Sequence, residues 1–182
     1  RALGVDSDRA ALQSARESGH SRLVCADAGQ LPFRAGVFDM VLSVEVMTHI
    51  APQPRLQVLQ GITGVLKEGG LLFCTLHNRL RLTLARWARL RRPLEFYPTD
   101  RLDVWPFDPR QARIALGQSG LQAGTRVHYL NYHSRFGDDF CRQRPWLAWG
   151  VVAVEEILSR LPLWRRLAIT FLLVAQRVED ES

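Results

Sequence analysis

Ala2-Leu3-Gly4-Val5-Asp6, Arg22-Leu23-Val24-Cys25-Ala26-Asp27 and Phe38-Asp39-Met40-Val41-Leu42-Ser43-Val44 are three short apolar runs, the first two each closed by an aspartate. Runs of this length read as strands of a parallel sheet, and a carboxylate just past a strand's end lies at the edge where an open α/β sheet binds its ligand. The pattern points to an adenosine-type cofactor.

Between the first two runs, Ser7 to Ser18 carries Ala10, Ala11, Leu12 and Ala15 behind good capping residues and stops before Gly19, which predicts a helix. Asp27 to Gly36 is a loop holding Leu31-Pro32-Phe33 and Arg34-Ala35-Gly36. Phe38 to Val44 is apolar nearly throughout, the pattern of a strand buried on both faces. Leu56, Leu59, Ile62 and Leu66 then recur at helical spacing up to Gly69-Gly70, and Leu71 to Leu76 predicts another buried strand. Strand and helix alternating in this way imply a parallel sheet with helical crossovers. Downstream, Pro109 to Gly120 and Trp146 to Leu161 predict helices. Leu121 to Leu130 and Leu167 to Arg177 predict strands, followed by a four-residue acidic tail, 179–182.

The 182 residues are 47% apolar and 23% charged, which suits a single globular domain over 1–178 and argues against disorder. The net charge is +6, yet Lys67 is the only lysine among 24 basic residues. That bias reads as coding composition rather than as a nucleic-acid surface. Cys25, Cys74 and Cys141 are far apart, so neither a disulfide framework nor a clustered metal site is expected, and a cytoplasmic setting fits. The apolar stretches near Trp146 and Phe171 are broken by Glu155, Glu156, Arg165 and Arg166 before reaching about 20 residues, so no spanning helix is expected.

Two readings stand beside each aspartate. The Asp6 carboxylate can accept both hydroxyls of a ribose, or it can cap the following helix, a task open also to Ser7 and Asp8. Asp27 can accept from an adenine amino group while the Ala28 N–H faces a ring nitrogen, or it can be a turn residue.

Taken in order, Gly-Val-Asp-Ser-Asp, Ala-Asp-Ala-Gly-Gln-Leu-Pro-Phe, Val-Phe-Asp-Met-Val-Leu-Ser-Val-Glu-Val and Leu-Lys-Glu-Gly-Gly-Leu-Leu-Phe make the segment Ala2 to Leu76 resemble the class I S-adenosylmethionine-dependent methyltransferases of the small-molecule type. The resemblance implies an α/β fold: a Rossmann-like, mostly parallel sheet with helices on both faces and a C-terminal antiparallel strand pair, here Leu121 to Leu130 with Leu167 to Arg177. It implies S-adenosylmethionine as cofactor, with Asp6 and the adjoining Ser7 at the ribose, Asp27 and Ala28 at the adenine, and the segment Ser43 to Val46 beside the methionine part. The family's first strand and glycine-rich loop have no counterpart, and Gly-x-Gly-x-Gly occurs nowhere. The chain opens on Arg1, already inside a predicted strand, so an N-terminal portion is expected upstream. The missing strand would lie between those matching Ala2 to Asp6 and Phe38 to Val44. A gap is therefore expected there, with poor cofactor binding and low stability of the chain alone.

Methyl transfer asks the protein for positioning, desolvation and, for some acceptors, removal of a proton. His49 is the candidate base on the substrate side, or else a packing residue. Glu45 is a candidate for the cofactor's amino group or the substrate. His77 and Asn78, and more weakly Tyr129, Tyr132 and His133, are candidates for the acceptor pocket. The arginine-rich segment Arg79 to Arg92 reads as a solvated helix face, as a site for an acidic or phosphate-bearing substrate, or as a peripheral membrane contact. Trp146, Trp149, Val152 and Ile157 read as core or as a substrate lid. The expected partner is a small-molecule methyl acceptor. Two rivals are a nicotinamide-dependent oxidoreductase, disfavoured because no Tyr-x-x-x-Lys can be made with Lys67, and a non-catalytic module keeping the fold as a binding surface.

Overall fold

The first two strands pair as the sequence implies. In a computed structural model, which describes residues 2–80, 97–98, 103–124, 126–130, 157, 160–161, 166 and 168–178, β1 (Gly4–Asp6) and β2 (Leu23–Cys25) are parallel and joined through α1 (Arg9–Glu17). Asp8 is the N-cap of α1, its Oδ1 accepting from the Ala10 N–H at 2.8 Å, so the helix opens two residues later than the pattern suggests. It buries Leu12.

β3 (Phe38–Val44) is parallel to β4 (Leu66–His77), and α2 (Arg55–Val65) makes the crossover. The α2 helix buries Val58, Leu59, Ile62 and Val65. It stops at Val65, earlier than Gly69-Gly70, because Leu66 already pairs with Phe38. The glycines form a bulge inside β4 instead: the register passes from Phe38↔Leu66 to Met40↔Leu71, with Gly69 at φ +71°. Arg177 closes the end of α2, its Nη1 donating to the carbonyls of Thr63, Gly64 and Leu66 at 3.2, 3.4 and 2.6 Å.

The C-terminal strands are antiparallel. A short hairpin of β5 (Tyr97–Pro98) and β6 (Asp103–Val104) leads to α3 (Pro109–Gln118), capped by Asp108. The predicted strand from Leu121 to Leu130 is two pieces, β7 (Leu121–Ala123) and β8 (His128–Leu130), interrupted at Gly124, whose N–H still donates to Val174 O. Both pieces pair with β9 (Thr170–Arg177), which runs antiparallel to β4 and lies between β4 and β7. Met47, Leu59, Leu72, Leu76, Phe107 and Phe171 belong to the core beneath this sheet.

Among the described residues β1 pairs only with β2, and β3 only with β4, so the sheet is divided at the expected gap. The reading of β3 as buried on both faces is corrected: Met40, Leu42 and Val44 are 53, 65 and 67% exposed. They alternate along a strand whose outer edge has no described partner. Most of the predicted helices around Arg79 to Arg92 and Trp146 to Leu161, with Tyr132, His133, Cys141 and the acidic tail, lie outside the described residues.

Candidate active site

Where the sheet is divided, the ends of β1 and β2 and the edge of β3 enclose a cleft of about 510 Å³. Asp6, Ser7, Ala28 and Ser43 line it, with Leu31 and Phe33 from the loop after β2. The size suits a small ligand or cofactor.

Asp6 does not cap α1. Its Oδ1 accepts from the Asp8 N–H at 2.9 Å, which fixes the carboxylate at the mouth of the cleft while Asp8 does the capping. Asp27 is outside the lining. Its Oδ1 accepts from the Gly29 N–H at 2.6 Å and its carbonyl from the Gln30 N–H at 3.0 Å, so it shapes the turn that brings Ala28 to the cleft. Ser43 Oγ is buried with no hydrogen-bond partner. Across the β3–β4 register stands the Cys74 thiol, pushed up to about 12 by burial, which the facing Ser43 hydroxyl partly opposes, and so unreactive as a nucleophile. A fixed carboxylate for a diol, apolar walls for a flat ring and a hydroxyl at the lining are a donor and acceptor set that fits S-adenosylmethionine.

Glu45 and His49 are not in that lining; they lie at the carboxyl end of β3, in a second cluster. Glu45 has φ +59°, the only non-glycine residue with positive φ among those described, a conformation costing roughly 1–3 kcal/mol that persists only when its surroundings enforce it. Here the Glu45 N–H donates to Thr75 Oγ1 at 2.9 Å, its carbonyl accepts from Thr48 Oγ1, and its carboxylate Oε1 accepts from Thr170 Oγ1 at 3.2 Å. The turn Val46–His49 follows as a short 3-10 helix that buries Met47 and Thr48.

A strap from Asp103 to Phe107 runs across this cluster. Asp103 O lies 2.8 Å from His49 Nδ1, the Trp105 N–H donates to Thr48 O, and the Phe107 N–H donates to His77 O. Arg55 holds the strap, its Nε donating to Ile50 O at 2.9 Å, its Nη2 to Trp105 O at 3.1 Å, and its guanidinium carbon sitting 4.0 Å from the Phe107 ring centroid. Burial, together with the neighbouring Arg79 charge, lowers Arg55 to about 10, leaving it cationic at neutral pH. Asn78 is buried and structural, donating to Arg166 O and Ala168 O at 2.8 and 2.9 Å. Thr75, Thr170, Arg55 and the strap were not legible as site residues, because only long-range pairing brings them to Glu45 and His49. Among the described residues no group of side chains could hold a metal ion, and no helix is long and apolar enough to cross a membrane.

Residues 1–74 match the family described as "Methyltransferase domain". The tRNA (carboxymethyluridine(34)-5-O)-methyltransferase alkbh8 of Xenopus tropicalis is 36% identical over 69 residues, 37% of this chain and 11% of that protein. A second curated relative, from Encephalitozoon cuniculi, is 38% identical over 69 residues and is matched over 33% of its length, so the chain's match spans only a minor part of either relative. A SAM-dependent methyltransferase from Methanosarcina mazei superposes with a TM-score of 0.67 at 14% identity, over 98% of this chain and 82% of that one. The [4+2]-cyclase SpnF gives 0.58 at 20% identity, over 97% and 65%. At these identities the structural likeness speaks for the fold and not for the reaction. Residues 1–74 thus match a methyltransferase-domain family by sequence, and the described chain shares its fold with S-adenosylmethionine-dependent methyltransferases.

Proposed function

We propose that the chain forms the cofactor- and acceptor-binding part of an enzyme that transfers a methyl group from S-adenosylmethionine to a small molecule. The reading is carried by the convergence of Asp6, Ser7, Ala28 and Ser43 on one cleft. Asp6 would hold the ribose diol, with Ser7 beside it. Ala28 would meet the adenine edge with its N–H, and Asp27 would shape that turn. Ser43 and Glu45 would bracket the amino-acid end. The cofactor, when bound, supplies a methyl group activated by a sulfonium. The protein's part is to orient the acceptor, exclude water and, at His49, take a proton.

A second acceptor class is favoured by one observation, the 36% identity to a protein named for methylating tRNA. The two are separated by supplying S-adenosylmethionine labelled at the methyl carbon, together with either total tRNA or a small-molecule panel, and following the label. Label in small molecules supports the proposal; label in tRNA replaces it with the second reading. Absence of cofactor binding by the chain extended upstream in its native reading frame, measured in parallel by calorimetry, moves the assignment to a non-catalytic binding module.

A further inference from the structure

We propose that Arg55 and Arg79 form an oxyanion-binding site, outside the cofactor cleft, that takes the carboxylate or phosphate of a small ligand. Such a site lies beyond the methyl-transfer reading and does not rest on it.

Phe107 brings the two arginines together. The Arg55 guanidinium carbon lies 4.0 Å from the Phe107 ring centroid, and the Arg79 N–H donates to Phe107 O at 2.9 Å. Topology explains the meeting: Arg55 opens α2, the helix that follows β3, and Arg79 stands two residues past the end of β4. Both are therefore at the carboxyl edge of parallel strands, where an open α/β sheet takes its ligands. Arg55 is partly engaged, its Nε and Nη2 donating to Ile50 O and Trp105 O. Arg79 Nε, by contrast, is buried without a hydrogen-bond partner, although the residue as a whole is only half-buried. An unpaired donor on a cation is costlier to bury than one on a neutral group, and an anion that reaches it removes the cost.

No carboxylate neutralises the pair. Among the described residues no acidic side chain forms an ion pair with either guanidinium. The acidic groups nearest in the fold are engaged elsewhere, Glu45 Oε1 accepting from Thr170 and Asp108 Oδ1 from the Arg110 N–H. The α2 helix also begins without a side-chain cap, at Pro54, and with no acidic residue in its first turn, so the positive end of its dipole adds to the same charge. The two cations act on one another: burial first, and then the Arg79 charge, lower Arg55 to about 10. Like charges held together in this way are stabilised by an anion between them, and a guanidinium offers its donors as a flat fork that matches a carboxylate or a phosphate. The arginine-rich stretch thus has, at its first residue, the surroundings of a site for an acidic or phosphate-bearing ligand rather than those of a solvated helix face.

Two measurements test this on the chain extended upstream in its native reading frame, without cofactor, so that their failure leaves the methyl-transfer reading untouched. In the first, nitrogen-15 spectra of the arginine Nε–H groups, assigned through Arg79→Lys, are followed as inorganic phosphate, acetate or glycerol 3-phosphate is added at an ionic strength held constant with chloride. The Arg79 Nε–H signal should move saturably, and Arg79→Gln should weaken phosphate binding by about 10- to 100-fold, the loss of charge-assisted hydrogen bonds. Glycerol 3-phosphate binding more tightly than inorganic phosphate assigns the anion to an organic ligand, and equal affinity assigns it to the free ion; either supports the site. The second measurement is thermal melting. Phosphate stabilises folded proteins generally by exclusion from their surface, an effect common to both proteins, so a site predicts a larger rise in melting temperature for the wild type than for Arg79→Gln. An Arg79 signal that none of the three anions moves saturably, or an equal rise in the two proteins, overturns the site. If Arg79→Gln does not fold, the wild-type titration decides alone.

Discussion

Asp6 and Asp8 stand two residues apart and serve different ends. Asp8 caps α1 and Asp6 is held by the Asp8 backbone at the cleft. Asp8→Ala should therefore lower the melting free energy by about 1 kcal/mol, the cost of a lost N-cap, as read from a denaturant titration. His77 gives a pH signature. Its folded value lies below the unfolded one, because burial disfavours the charged ring. Between those two values the unfolded chain binds more protons, so stability is full above about pH 6.5 and is lost as pH falls from there toward the folded value. The expected outcome is a melting temperature that declines on acidification through that window, and a shallower decline in His77→Asn. The aspartates and His49 were visible as candidates in the sequence because strand ends advertise themselves by an apolar run followed by a charge. The strained backbone of Glu45 was not, since positive φ at a glutamate is imposed by Thr75, Thr48 and Thr170 rather than by any local signal.

At the scale of elements, the alternation from β1 to β4 was legible because buried strands and a helix with apolar residues at 3.6 spacing leave distinct periods. What misled was Gly69-Gly70. A glycine pair after an apolar periodic run reads as a helix stop, but here it forms the bulge through which β4 joins β3 in two registers. A Cβ at Gly70 would lie 2.8 Å from Lys67 O and 3.3 Å from Asp39 O, both backbone atoms. Gly70→Ala should therefore destabilise the protein by about 1–3 kcal/mol, whereas an alanine at Gly64, which meets nothing within 4 Å, should be tolerated. Comparison of the two by thermal melting checks the bulge directly. Similarly, the strand at Leu121 to Leu130 was read as continuous because its apolar content does not show where β9 leaves Gly124 to turn.

For the molecule as a whole, the division between the β1–β2 pair and the larger sheet leaves one edge of β3 without a partner among the described residues. Leu42 and Val44 are about two-thirds exposed on a strand with one edge open among the described residues, an arrangement that invites edge-to-edge pairing. Leu42→Lys should reduce concentration-dependent self-association in light scattering while leaving the melting temperature nearly unchanged. The same division opens the cleft on which the cofactor assignment depends. The strap that crosses the Glu45–His49 cluster was not legible in the sequence, because its contacts join residues about fifty positions apart, such as His49 with Asp103. The most direct test of the account is calorimetric titration with S-adenosylmethionine of the chain extended upstream in its native reading frame, wild type against Asp6→Ala. The account predicts saturable binding that the substitution weakens by about 5- to 150-fold, the equivalent of roughly 1–3 kcal/mol for a lost charged hydrogen-bond acceptor. Equal affinity in the two proteins would contradict it.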